Sequence, residues 1–357
     1  MAPGVDPYDV SVYEKAKANL VGLVEDGVLI QEEKPALYLY ELIRNGKSQT
    51  GLVACAAVED YVRGAIKKHE LTREDKENDR VNHVNTCNAN TGPVFLTYPG
   101  QDDINALVAQ IQQQKPVYDF TADDGITHRV WVIADDADIA AFTEAFKGVE
   151  SLYIADGHHR AASAARVAKM RAEIDDDADA AWKTFLTVIF PAEQLTIMDY
   201  NRVVADLNGY TTESFLEKIS EKFEIISESE AIYHPEGKGY FGLYLDEKWY
   251  GLKAKDGIYD PDDPVDSLDV SILQKNLLAP VLGIEDPRKD PRIDFVGGIR
   301  GLTELERRCH GDMKVAFALY PTSVNELMAI ADAGLLMPPK STWFEPKLRS
   351  GLFVHTL

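Results

Sequence analysis

Tyr153-Ile154-Ala155-Asp156-Gly157-His158-His159-Arg160-Ala161-Ala162 decides how this chain is read. The apolar run Leu152–Ala155 predicts a short buried strand. Ala161, Ala162, Ala164, Ala165 and Ala168 are strong helix formers and predict a helix of about four turns after it. One glycine joins the two. Such a junction leaves the first helix amides without partners, at the positive end of the helix dipole. Arg160 and two imidazoles add side-chain donors, and together these groups suit a phosphate. Asp156 is the odd member. A carboxylate there is repelled by phosphate unless it caps the helix, binds Mg²⁺ or holds a substrate hydroxyl. The bland alternative makes Asp156 an N-cap, His158 and His159 surface residues, and Arg160 the partner of a nearby acid.

A second stretch concentrates cations: Arg63-Gly64-Ala65-Ile66-Lys67-Lys68-His69-Glu70, followed by Arg73, Lys76 and Arg80. Here Lys68 is a candidate phosphate binder, and His69 with Glu70 a candidate general base. The alternative is a helix start with ion pairs worth tenths of a kcal/mol each. Weaker candidates follow. His83 and Cys87 are spaced i,i+4, but two ligands are too few for a metal site. Cys309-His310 is adjacent in sequence and not a dyad by spacing. Gly297-Gly298-Ile299-Arg300-Gly301 matches neither a P-loop nor a dinucleotide fingerprint. Pro338-Pro339-Lys340-Ser341-Thr342 is either a structural tail or a substrate clamp.

Outward from these motifs the chain alternates strands and helices. Ser11 to Glu14 reads as a capping box opening a helix that Gly27 ends. Ala36–Arg44 and Ser48–Val58 read as a hairpin through Asn45-Gly46. Thr72 marks a helix start, Pro93–Tyr98 a strand and Asp103–Gln113 a helix. Val117–Thr121 and Ile126–Ile133 read as a second hairpin through Asp124-Gly125. Ile139–Phe146 reads as a helix, Asp175–Asp179 as a solvated acidic loop and Thr184–Phe190 as a strand. The last third predicts a helix at Thr212–Phe223, a hairpin at Gly239–Leu245 and Lys248–Lys253, and an amphipathic segment at Asp266–Leu278. A strand at Val315–Leu319 and a helix at Val324–Ala333 complete it. Mixed strands and helices with many hairpins indicate an α+β fold with a mixed sheet.

The chain has 357 residues, 37 Lys+Arg against 59 Asp+Glu, and a formal net charge of −22. That length predicts two domains, divided here into 1–195 and a C-terminal α/β lobe at 196–357. The negative charge argues against generic binding to nucleic acid or an anionic membrane, and leaves a small anionic ligand allowed. Three scattered cysteines offer no disulfide framework. No apolar run reaches the ~20 residues of a membrane span. The expectation is a cytoplasmic protein, with homodimerisation as a further one.

Several segments together resemble the bacterial and archaeal family of domain-of-unknown-function 1015 proteins. They are Asp-Gly-His-His-Arg with its upstream strand, Gly-Ala-Ile-Lys-Lys-His-Glu, Pro93–Tyr98, Asp269-Val-Ser-Ile-Leu-Gln and Met337-Pro-Pro-Lys-Ser-Thr-Trp-Phe-Glu-Pro-Lys. The turn is also similar to the phosphate-binding box of the ParB/sulfiredoxin superfamily, whose free serine kinases carry a very similar motif. The resemblance implies a ParB/sulfiredoxin-like core over 1–195, lacking the usual N-terminal strand. It implies Gly157, His158, His159 and Arg160 as ligands of a nucleotide, ATP or ADP, and Asp156 as a Mg²⁺ or substrate partner. Glu70 is assigned as base by its position and not by a motif match. The function expected is phosphotransfer to a small hydroxylated metabolite such as serine. A nucleotide-sensing module, and a metal-dependent hydrolase with Asp156, His158 and His159 as ligands, are the alternatives.

Overall fold

The computed structural model describes residues 4–174, 177 and 179–357. Part of the acidic run Asp175–Asp179 therefore lies outside the described residues. Two compact units form. The first comprises 1–195 together with 346–357, and the second 196–345. The closing segment 346–357, assigned from sequence to the C-terminal lobe, thus belongs with the first unit.

In the first unit, α1 (Val10–Glu25) precedes the hairpin β1 (Leu37–Arg44) and β2 (Lys47–Ala57). Then come α2 (Val58–Val62), β3 (Ile66–Lys67), α3 (Glu74–Cys87), β4 (Ala89–Asn90) and β5 (Val94–Tyr98). Next are α4 (Asp102–Ile111), β6 (Tyr118–Thr121), β7 (Thr127–Ile133), α5 (Asp136–Phe146), β8 (Leu152–Asp156), α6 (His158–Ala172) and β9 (Thr184–Pro191). Eight strands make one mixed sheet in the order β3-β8-β5-β9-β2-β1-β7-β6. The β3–β8 and β5–β9 pairs are parallel. The other pairs are antiparallel, the hairpins β1–β2 and β6–β7 among them. Asn45 and Gly46 both adopt positive φ in the β1–β2 turn, which a two-residue primed turn demands.

The expected cap at Ser11 is displaced. Asp9 caps α1 instead, its carboxylate accepting from the Ser11 amide at 2.9 Å, because an Asp two residues upstream satisfies the free donor first. Thr72 likewise stands ahead of its helix and donates to Glu77 at 2.7 Å. The core holds Leu39, Leu96, Ile133 and Ile154 of the sheet against Ala161, Ala164 and Ala168 of α6. Those alanines let the helix lie close on the strands. Val81 and Val84 of α3 pack on Val167 of α6. Gly51 is a packing requirement: a Cβ there would stand 2.7 Å from Val188 and 2.9 Å from the Phe190 ring. Gly51→Ala is expected to destabilise by about 1–3 kcal/mol. A lower urea midpoint at unchanged m would register it, and an unchanged midpoint would refute it.

The second unit contains β10 (Ile197–Met198), β11 (Tyr200–Val204), α7 (Thr212–Lys222), β12 (Phe223–Ser229), β13 (Tyr240–Leu245), β14 (Lys248–Ala254) and α8 (Asp269–Leu273). A π-helical turn, Gln274–Leu278, extends α8. Then follow β15 (Ile293–Gly297), α9 (Thr303–Cys309), β16 (Val315–Ala318), α10 (Val324–Asp332) and β17 (Trp343–Phe344). Six strands form an antiparallel sheet, β12-β14-β13-β16-β11-β15. The Gly297-Gly298 pair serves packing: Cβ atoms there would strike the Trp343 ring and the Asp199 carboxylate. Finally β18 (His355–Thr356) pairs with β4 in the first unit.

Candidate functional site

Because β3 runs parallel to β8, with Ile66 beside Leu152 and Lys67 beside Tyr153, the two chemistry-bearing segments emerge at the same end of the sheet. The imidazoles of His69 and His158 meet edge-to-face, with centroids 4.5 Å apart. The His69 amide donates to His158 Nε2 at 3.4 Å, and Glu70 Oε2 lies 3.7 Å from His158 Nδ1. The Arg73 amide donates to His159 Nε2 at 3.0 Å.

Gly157 turns the chain at φ +99° and caps α6 with no side-chain hydrogen bond. Its carbonyl accepts from the Arg160 and Ala161 amides. The amides of His158 and His159 therefore have no helical acceptor. A cavity of about 250 Å³ opens beside this turn, and Arg80, His83, Thr91, Arg160, Ser163 and Ser350 are among the residues lining it. The Arg160 guanidinium donates to the Pro93 carbonyl. Two cations, Arg80 and Arg160, thus share one concave surface.

The two histidines of the motif do not aim at that surface as expected. His158 is 6% exposed, and burial, with His69, His159 and Lys68 nearby, holds its pKa well below the usual histidine range. It is neutral, and one nitrogen already accepts an amide hydrogen. His159 also has a lowered pKa, chiefly through burial. Their contribution is to tie the segment 69–73 to the start of α6. His69 is 0% exposed, with a pKa lowered to about 4 by burial. Lys68 rests over the Tyr61 ring at 5.8 Å and does not line the cavity.

Asp156 forms an ion pair with Lys347 at 2.9 Å. Burial alone would raise its pKa, but Lys347, Arg160 and the Gly157 amide outweigh it and the carboxyl is lowered. Lys347 and Ser350 were not singled out from sequence, because their approach depends on the return of 346–357 into the first unit. The tail motif around Met337-Pro-Pro-Lys was the one signal pointing to that end of the chain. The Pro-rich loop before it bonds to itself, Ser341 donating to the Pro338 carbonyl at 2.6 Å.

Among the described residues no group of three or more His, Cys, Asp or Glu is disposed to hold a metal ion. The hydrolase alternative needed His158 and His159 as ligands, and both rings present an occupied nitrogen. His83 and Cys87 lie 3.8 Å apart without further ligands. The cysteines are unpaired. No helix among the described residues is long and apolar enough to cross a membrane.

The family described as "Protein of unknown function (DUF1015)" matches residues 1–271. The chain belongs to this family. No curated protein matches it. Among solved structures it is similar to a free serine kinase mutant in complex with AMP. That match has 16% identity, 82% of this chain and 87% of the other covered, and a TM-score of 0.43. It is also similar to a free serine kinase mutant in complex with ADP, at 15% identity, with 82% and 87% covered and a TM-score of 0.40. A conserved hypothetical protein from Pyrococcus furiosus matches at 16% identity, with 84% and 93% covered and a TM-score of 0.40.

Proposed function

We propose that the first unit binds a nucleotide by its phosphates and transfers a phosphoryl group to a small hydroxylated metabolite. The observation that carries this is the cavity whose wall holds the guanidinium groups of Arg80 and Arg160, next to the start of α6, a helix with no side-chain cap. Helix-end amides and forked cations are complementary to phosphate oxygens. The volume of about 250 Å³ suits the phosphate-bearing part of a nucleotide. Serine is named as the first acceptor to try because of the similarity of the Asp156–Arg160 motif to that of free serine kinases.

In this reading the acceptor hydroxyl oxygen attacks the terminal phosphorus and the bond from that phosphorus to its bridging oxygen breaks. The hydroxyl proton passes to Glu70. His158 is the positioning residue that fixes the Glu70 segment. Phosphoryl transfer needs alignment and charge neutralisation above all. Mg²⁺ keeps most of its waters and takes one or two carboxylates plus phosphate oxygens. Asp156 therefore suits a Mg²⁺ that arrives with the nucleotide, where the ion would neutralise phosphate charge.

The test is titration of the full chain with ATP and ADP, with and without Mg²⁺, followed by assay for phosphoserine from L-serine. Saturable nucleotide binding and a phosphorylated product are expected. Binding without product would favour the sensing module, and no binding would refute both. Glu70→Gln is expected to lower turnover about 100-fold or more at unchanged nucleotide affinity, the range for a lost general base. Equal turnover would remove Glu70 from the mechanism.

A further inference from the structure

The second unit holds its own cavity, about 440 Å³, whose lining includes Arg202, Val270, Gln274, Leu278, Glu285 and Arg288. Arg202 is 4% exposed. Its Nη1 donates to the Tyr200 carbonyl and its Nη2 to the Lys340 carbonyl at 3.0 Å and the Pro339 carbonyl at 3.4 Å. The Phe295 ring covers it at 5.3 Å. Its partners among the described residues are carbonyls and not carboxylates. Carbonyl dipoles solvate a cation without cancelling its charge, and an unpaired buried charge is costly.

The remaining charges on the wall sort themselves. Arg288 is already neutralised by Asp286, in a forked pair at 2.9 and 3.0 Å. Glu285 is exposed and has no ion pair or side-chain hydrogen bond among the described residues. One buried cation and one exposed anion are therefore left on the same cavity. A dianionic phosphate would face Glu285 and Asp286 with a single unpaired guanidinium. A ligand carrying one carboxylate and one ammonium fits both. Val270, Leu278, Pro287, Pro338 and Pro339 supply apolar wall between them.

We propose that this cavity binds a zwitterionic α-amino acid with an apolar side chain, its carboxylate on Arg202 and its ammonium on Glu285. The site uses residues of the second unit alone and does not depend on the nucleotide reading.

Calorimetry and thermal melts of the full chain with L-leucine and L-valine test it. At least one is expected to bind saturably and to raise the unfolding midpoint by about 2–4 °C at saturation. Its methyl ester, lacking the carboxylate, and its N-acetyl form, lacking the ammonium, are each expected to bind at least about 10-fold more weakly. Glu285→Gln, at an exposed position that leaves the fold intact, is expected to weaken the free amino acid equally. Arg202→Met is a second probe, interpreted only where its melt stays cooperative. Arg160→Ala should leave amino-acid affinity unchanged. The proposal is overturned if neither amino acid binds at millimolar concentration, or if the blocked forms bind as tightly. It is also overturned if Glu285→Gln changes nothing, if inorganic phosphate binds in place of the amino acids, or if Arg160→Ala abolishes the effect. Loss of nucleotide binding alone would count against the first unit's reading and leave this one standing.

Discussion

Arg160→Ala is expected to weaken ADP or ATP binding by about 10- to 100-fold while the protein stays folded, the span of one lost charge-assisted contact. The fold should survive for local reasons. Arg160 is exposed, lies in the first turn of α6 and is followed by alanines, and alanine is the residue most compatible with a helix. Its visible structural bond is the one to the Pro93 carbonyl, a contribution of about 1 kcal/mol. Its loss to a ligand is larger, because the guanidinium lines the cavity together with Arg80. Arg160→Lys should fall between, keeping charge but losing the planar fork. Calorimetric affinities for the three proteins, with circular dichroism to verify the fold, decide the matter. Equal affinity in Arg160→Ala would mean that phosphate does not sit at this helix end.

How much of this was legible beforehand follows from which interactions are local. The strand–Gly–helix junction at 152–172 was readable, because an apolar run, a positive-φ glycine and an alanine stripe are all encoded within a few residues. The hairpin turn at Asn45-Gly46 was readable for the same reason. The cationic segment 63–80 could be marked, but its approach to His158 depends on β3 joining the sheet as a two-residue parallel strand beside β8. A strand that short carries no periodicity. The orientation of His158 was misjudged because sequence shows that a histidine is present, not that His69 and Glu70 will close over it. Lys347 and Ser350 were beyond reach, since β18 returns across the whole chain to pair with β4. The glycines at 297 and 298, a weak candidate that fits no phosphate fingerprint, answer to Trp343 and Asp199, contacts that only the assembled unit makes.

The same buried histidines should make the first unit lose stability as pH falls from 7 toward 4. In the unfolded chain His69 titrates near 6.5, whereas in the folded chain its pKa is about 4, because burial disfavours the imidazolium. His158 is also held well below the usual histidine range, for the same primary reason. Between those values the unfolded state binds protons that the folded state refuses, so stability declines as pH drops through 6.5 and continues to decline until about 4. His69 alone amounts to roughly 3 kcal/mol over that interval. Asp156 is lowered, so its contribution disappears only at more acidic pH. Asp269 in the second unit works the other way. Burial raises its pKa to about 7, so its folded form holds a proton that the unfolded form lacks, and acid favours the fold there. A comparison of the parent with His69→Phe removes that offset, because Asp269 is common to both. Urea unfolding at pH 7 and pH 4.5 should show a markedly smaller pH-dependent loss in His69→Phe, whatever its stability at pH 7. An identical pH dependence in the two proteins would mean that His69 is not the buried neutral ring the structure contains.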